Sequence, residues 1–205
     1  MTNLIKSDRL IYSMSSENKP ALEVDPGSTV VFETCDCFQN QISSSKQPIE
    51  KLDWEKINPA TGPLYVKGAE KGDTLRIEIL KIDISDYGVM AAIPGGGIFG
   101  GNIGESSIKI LPIIEGKAIF NDSIYIPCKP MIGVIGVAPD EAAIPNGEPG
   151  SHGGNMDNSK IAEGAVLYLP VFHAGGLLAM GDLHAAMGDG EIMVTGIEIA
   201  GKIMK

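Results

Sequence analysis

Asp73-Thr-Leu-Arg-Ile-Glu-Ile-Leu-Lys-Ile82 sets Leu75, Ile77 and Ile79 at alternate positions, with Thr74, Arg76 and Glu78 between them. A period of two belongs to a strand with one buried face. Comparable β-rich runs recur at 29–33, 108–113, 131–137, 165–171 and 191–199. In the last run Ile192 and Val194 share one parity while Ile197 and Ile199 have the other, so a β-bulge is expected at Thr195-Gly196. Helical signals are short: Asn158-Ser-Lys-Ile-Ala-Glu-Gly164 has an N-cap residue and a terminating glycine, which allows about one or two turns. The 26 glycines and 13 prolines imply many tight turns. The reading is all-β, as two packed sheets or an open barrel, with long glycine-rich loops and short helical turns.

The chain has 205 residues, enough for a sizeable core without disulfide or metal staples. It reads as a single unit over 1–205, although Pro48, Pro59, Gly62 and Pro63 make 46–63 either a sub-boundary or a long surface loop. Acidic residues outnumber basic ones, 26 to 16, and no stretch gathers Lys or Arg into a basic face. Nucleic acid and anionic membranes are therefore excluded as expected partners. Cys35, Cys37 and Cys128 cannot all pair, and the first two are too close to bridge without strain. That usage fits a reducing compartment. No apolar run reaches the ~18 residues of a membrane span, and the first residues lack the apolar stretch of a signal peptide. A cytoplasmic location is expected.

Gly95-Gly-Gly97-Ile-Phe-Gly100 matches the spacing of a dinucleotide-binding loop, but Gly101 and Gly104 fall where its helix would begin, so no nicotinamide cofactor is expected. Cys35-Asp36-Cys37 is a poor zinc half-site and reads as two small buried side chains flanking a carboxylate at a strand end. Gly150-Ser-His152-Gly-Gly-Asn155-Met-Asp157 is denser in polar groups. Gly153 and Gly154 let the backbone approach a ligand closely, in either a ligand loop or a surface turn. In Gly181-Asp182-Leu-His184 the aspartate and histidine stand two apart, so an extended backbone projects both to one face and sends Leu183 to the core. Two ligands of one metal, an acid–base pair, or a structural histidine held by Asp182 all satisfy that spacing. His173 reads as a turn histidine.

Taken together, Glu33-Thr-Cys-Asp36, His152-Gly-Gly-Asn-Met-Asp157, Tyr168-Leu-Pro-Val171, Gly181-Asp-Leu-His-Ala185 and Gly188-Asp-Gly-Glu191 resemble the acetamidase/formamidase family, in order along nearly the whole chain. The resemblance implies a jelly-roll-like β architecture, a homodimer or larger homo-oligomer, and hydrolysis of formamide, acetamide or related small amides to a carboxylate and ammonia. It puts His152, Asn155, Asp157, Asp182, His184 and Glu191 at the family's polar positions, with Asp36 as a strand-end partner. Met187 stands where the family usually has glutamine, and Cys35 where it has a basic residue. Family chains also continue in a C-terminal segment beyond the position of Lys205.

An amide carbonyl is a poor electrophile, so cleavage of its C–N bond needs a strong nucleophile and stabilisation of the developing oxyanion. Two histidines and a carboxylate on glycine-rich loops point to a metal-activated water, with His152, Asp182 and His184 holding Zn²⁺ or, as the other candidate ion, Ca²⁺. Glu191 is the expected base, and Asp157 and Asp36 are the carboxylates able to replace it or a ligand. Asn155, with Gly153 and Gly154, is expected to orient the amide. A non-catalytic jelly-roll domain binding a small ligand, a carbohydrate or Ca²⁺ would use the same loops, and a cysteine-nucleophile amidase would use Cys35 or Cys37. Two imidazoles and few aromatics favour the hydrolase over a calcium or sugar site.

Overall fold

The computed structural model describes residues 3–205. Its larger sheet has 11 strands, and in its middle Leu178–His184 lies between Met131–Gly136 and Ala60–Val66 and also pairs with Glu198–Ile199. Glu198–Ile199 leads on to Tyr87–Ala92 and Ser107–Ile114, and Gly153–Asn155 pairs with the far side of Met131–Gly136. A smaller sheet has 4 strands in the order Asn3–Ile5, Val30–Thr34, Gly201–Met204, Lys81–Ile84. Neither sheet closes on itself. One core joins them, with Phe32, Ile82 and Ile203 from the smaller sheet meeting Leu111, Ile132, Met180, Leu183 and Ile199 from the larger. The molecule is all-β and open, as its alternating runs imply.

The 73–82 segment keeps its alternation, with Ile77 and Ile79 buried and Arg76 and Glu78 exposed. It is nevertheless two strands. Thr74–Glu78 pairs with Val166–Pro170, whereas Lys81–Ile84 joins the smaller sheet. The helical expectation at 158–164 is corrected: the Asn158 side chain accepts from Lys160 N and its carbonyl from Ile161 N, so the cap residue closes a turn that does not propagate. The 3₁₀ turns fall instead at Ile49–Lys51, Trp54–Lys56 and Gly100–Asn102.

The 191–199 run departs furthest from its reading. No bulged strand forms; Glu191 and Val194 take left-handed backbone, and only Glu198–Ile199 pairs in the sheet. Ile192 and Val194 lie exposed in a loop while Ile197 and Ile199 are buried, so the change of parity at Thr195-Gly196 marks the return to strand. Thr195 Oγ1 ties that loop down, accepting from Ala91 N and donating to Ala91 O, both at 3.2 Å.

A second apolar cluster stands beside the main core. Cys37, Phe38, Ile42, Ile49 and Leu52 pack there against Val89, Ala91 and Ile108, with Ile57 and Ile93 on its margin. The proline-interrupted 46–63 stretch supplies part of it, and its margin reaches the site described next.

Candidate functional site

Leu178–His184 is buried along its whole length, so its alternation cannot be a choice between core and solvent. At Asp182 the backbone turns left-handed (φ 53°) while the register to Met131–Gly136 stays constant on either side. Leu183 enters the core, and Asp182 and His184 face the other way, toward the 191–198 loop. Gly133 makes this possible. A Cβ on it would lie 2.6 Å from both Asp157 Oδ1 and Asp182 Oδ2 and 2.9 Å from the Asp182 carbonyl oxygen. Gly196 does the same for the histidine, since a Cβ there would come within 2.9 Å of His184 Nδ1.

Four carboxylates converge on one imidazole nitrogen. His184 Nε2 lies 3.2 Å from Glu198 Oε2, 3.4 Å from Asp182 Oδ1, 3.6 Å from Glu191 Oε1 and 3.9 Å from Asp157 Oδ1. Three of the four stand on left-handed backbone: Asp157 at φ 39°, Asp182 at 53° and Glu191 at 40°. Non-glycine residues there cost about 1–3 kcal/mol each, a strain that concentrates at functional sites. Glu198 is oriented by Gly196 N, which donates to its Oε1 at 2.8 Å.

Burial disfavours ionisation here, and the crowded charges add to it. Burial and then the Glu198 charge push Glu191 up to about 8. Burial raises Glu198 to about 7 although His184 pulls against it. Asp157 is raised by burial, then by Asp182. For His184, burial opposes the imidazolium, but Glu198 and Asp182 outweigh it and carry the group up to about 12. The cluster thus keeps protons that free carboxylates would have lost, and it presents buried acceptors in excess. Asp157 Oδ1, Asp182 Oδ1, Glu198 Oε2 and Asn155 Oδ1 make no hydrogen bond.

Unpartnered buried carboxylate oxygens around an imidazole fit a divalent cation, which would replace the retained protons. Two sets of donors each have their ligand atoms within 4.8 Å of one another: Asp157, His184 and Glu191, and, separately, Cys37, Asp182 and Glu198. Mixed oxygen, nitrogen and sulfur donors suit Zn²⁺ better than Ca²⁺, which takes oxygen ligands.

The sequence-predicted residues fall into two groups. Asp157, Asp182, His184 and Glu191 come together, and Asn155, Asp182 and Glu191 line an adjoining cavity with Glu198 and Cys37. His152 lies elsewhere. His184 pairs across the sheet with Met131, whereas Gly153 pairs with Gly136 and the His152 carbonyl accepts from Val137 N, so the two histidines attach at opposite ends of one strand. Five or six residues at ~3.3 Å each put them roughly 15–20 Å apart along it. His152 is buried against Gly136, Gly150 and Gly154 with neither ring nitrogen hydrogen-bonded, and burial alone lowers its pKa. A Cβ on Gly153 would run into the Ile135 carbonyl and one on Gly154 into the Glu148 carbonyl, and neither glycine is among the cavity walls. Asp36 sits behind the site, its carboxylate accepting from Asn40 N, and burial raises it to about 6. Burial also raises the Cys35 and Cys37 thiols, which disfavours the thiolate a nucleophile requires.

Sequence reasoning missed Glu198 and set Cys37 aside. A signal for Glu198 exists: a lone carboxylate between Ile197 and Ile199 must face away from the apolar side, and at 1% exposure it does so inside the protein.

An all-β scaffold carrying a buried carboxylate–imidazole centre at the middle of an open sheet defines the class of protein. The sequence profile described as "Acetamidase/Formamidase family" matches residues 16–147 and 141–204, and the chain belongs to that family. Among solved structures, an acetamidase from Bacillus halodurans is 47% identical with a TM-score of 0.97, covering 98% of this chain and 68% of its own. A predicted acetamidase/formamidase from the thermophile Thermoanaerobacter tengcongensis is 50% identical with a TM-score of 0.97, over 100% of this chain and 68% of that one. The formamidase of Methylophilus methylotrophus is 29% identical over 87% of this chain. The chain spans 58–61% of the length of the curated relatives it matches. Among the described residues no helix is long and apolar enough to cross a membrane.

Proposed function

We propose that this protein hydrolyses the C–N bond of a small linear amide, giving a carboxylate and ammonia, in the cavity beside His184. The observation that carries the reading is the convergence of Asp157, Asp182, Glu191 and Glu198 on His184 Nε2, in a chain of this family. Asp182, His184 and Glu198 are the proposed holders of a divalent cation, with Asp157 and Cys37 at its margin, and Glu198 takes the place first given to His152. Zn²⁺ bound there would lower the pKa of water to about 7 and polarise the amide carbonyl.

The chain's own groups account for the proton movements. Glu191 lines the cavity with its Oε1 3.6 Å from His184 Nε2, and a cation that displaced its retained proton would leave it free to act as a base. It takes a proton from the water whose oxygen attacks the carbonyl carbon. It then returns that proton to the nitrogen as the C–N bond breaks and ammonia leaves. Asn155 lines the cavity with a buried Oδ1 that has no partner, which supports a role in accepting from the substrate N–H₂ and fixing which face meets the water. His184 Nε2, which faces all four carboxylates, would give its lone pair to the cation in place of its proton.

The test is ammonia release from formamide and acetamide by purified protein, before and after chelation and after return of Zn²⁺. Loss on chelation with recovery on Zn²⁺ supports the reading. Turnover indifferent to chelator removes the metal, and no turnover by metal-replete protein removes the amidase.

A further inference from the structure

One side of the cavity carries chemistry that formamide and acetamide would not use. Its volume is about 230 Å³, and Phe38, Trp54, Ile57, Ile93 and Val194 share it with the polar residues described above. Phe38, Ile57 and Ile93 are not scattered contacts, because they belong to the second apolar cluster and are backed by Ile49, Leu52 and Val89. They form a firm wall set into the sheet. Trp54 and Val194 are more exposed, at 50% and 44%, and stand at the mouth.

At ~30 Å³ for each water-sized group, the cavity takes roughly seven such groups. Formamide has three heavy atoms and acetamide four, so either would leave the apolar wall facing water. An amide with a branched acyl chain of about four carbons fills the space and leaves room for the attacking water. Asn58 and Thr195 also line the cavity, but the Thr195 hydroxyl is taken up by Ala91, and a polar substituent set against Phe38, Ile57 and Ile93 would give up its hydration to an apolar face.

We infer that this cavity is an acyl pocket selecting short branched aliphatic amides of the isobutyramide type, and that Phe38, Ile57 and Ile93 are its specificity-determining residues. The inference rests on the proposed amide hydrolysis and names its substrate class. Each carbon buried against the wall is worth about a fourfold gain. Isobutyramide is thus favoured over acetamide by about 15-fold in kcat/KM.

The experiment is a kcat/KM series for zinc-replete protein on formamide, acetamide, propionamide, isobutyramide and lactamide. Lactamide replaces one methyl of isobutyramide by a hydroxyl and so separates polarity from size. The expected order rises from formamide to isobutyramide, with lactamide at least about fivefold below isobutyramide. Ile93→Ala and, as a milder change, Ile57→Val should lower the isobutyramide-to-formamide ratio, mainly through KM, with melting temperature recorded to confirm folding. Formamide as the best substrate, or lactamide equal to isobutyramide, overturns the acyl pocket and leaves amide hydrolysis standing. Failure of every amide overturns both.

Discussion

Gly133→Ala adds one methyl group at the floor of the site. The new carbon would sit 2.6 Å from Asp157 Oδ1 and Asp182 Oδ2 and 2.9 Å from the Asp182 carbonyl oxygen. A carbon–oxygen contact settles near ~3.3 Å, so each carboxylate must retreat by about 0.7 Å. The carboxylates can swing, but the carbonyl belongs to a strand in fixed register and yields less. Overpacking of this kind costs about 1–3 kcal/mol. Gly133 is not on left-handed backbone, so alanine fits its conformation and recovers about 0.4–1 kcal/mol from the unfolded state. The net cost is about 0–2.5 kcal/mol, which at ~2–4 °C per kcal/mol lowers Tm by no more than about 10 °C. Misplacing catalytic groups by ~1 Å costs on the order of 10²-fold, so amide hydrolysis should fall by about 30- to 100-fold in a protein that remains folded. Circular-dichroism melts, zinc titration calorimetry and ammonia release read the three quantities on one sample. A variant with wild-type kcat/KM and wild-type zinc affinity would refute the placement of Asp157 and Asp182 in the site.

Glu198→Gln keeps an acceptor for Gly196 N but removes the charge facing His184; hydrolysis should drop by about 10²-fold and zinc affinity by about 10- to 100-fold, and unchanged calorimetry would take Glu198 out of the ligand set. His152→Ala should leave zinc stoichiometry intact while costing roughly 2–4 kcal/mol through the cavity it opens, as measured by urea unfolding. A lost equivalent of zinc would restore His152 as a ligand. Asp36 supplies a pH dependence. Its folded pKa of about 6 exceeds the unfolded value of ~3.9, so the folded state holds the proton longer and stability falls as pH rises between those values, by about 3 kcal/mol in all. Asp36→Asn should flatten the stability profile over that window relative to wild type, and parallel profiles for the two proteins would contradict the assignment.

Alternation made much of the sheet legible, because Ile77 and Ile79, or the apolar run from Met131, bury one face or both in the period a strand imposes. Its limits are local. The 73–82 run looks continuous, yet the chain changes sheets after Glu78, and the one local trace is a switch of buried parity from Ile77 and Ile79 to Ile82, which a reading of Leu75, Ile77 and Ile79 alone does not register. The 191–199 run looks like a strand because Ile192 and Val194 alternate, although both lie exposed in a loop and only Ile197 and Ile199 are buried. In the site, the two-residue spacing of Asp182 and His184 correctly put them on one face, since adjacent pleats are a local property. His152 joins them in the sequence reading only as a second histidine on a glycine-rich loop. Its distance from His184 is set by which residues of Met131–Gly136 each neighbouring strand meets, a non-local fact. Glu198 escaped notice for the converse reason: its role comes from a pairing with His184 across the sheet, not from any neighbour in the chain.

The left-handed backbone under Asp157, Asp182 and Glu191 has a practical consequence for engineering. At each of those positions glycine would relax the chain and remove a carboxylate from the crowded interior. A mutant library ranked on heat resistance alone would therefore enrich the very replacements that the proposed chemistry forbids. Selection for durability in this scaffold has to be run alongside a screen for catalysis, or it will yield sturdy, inert variants.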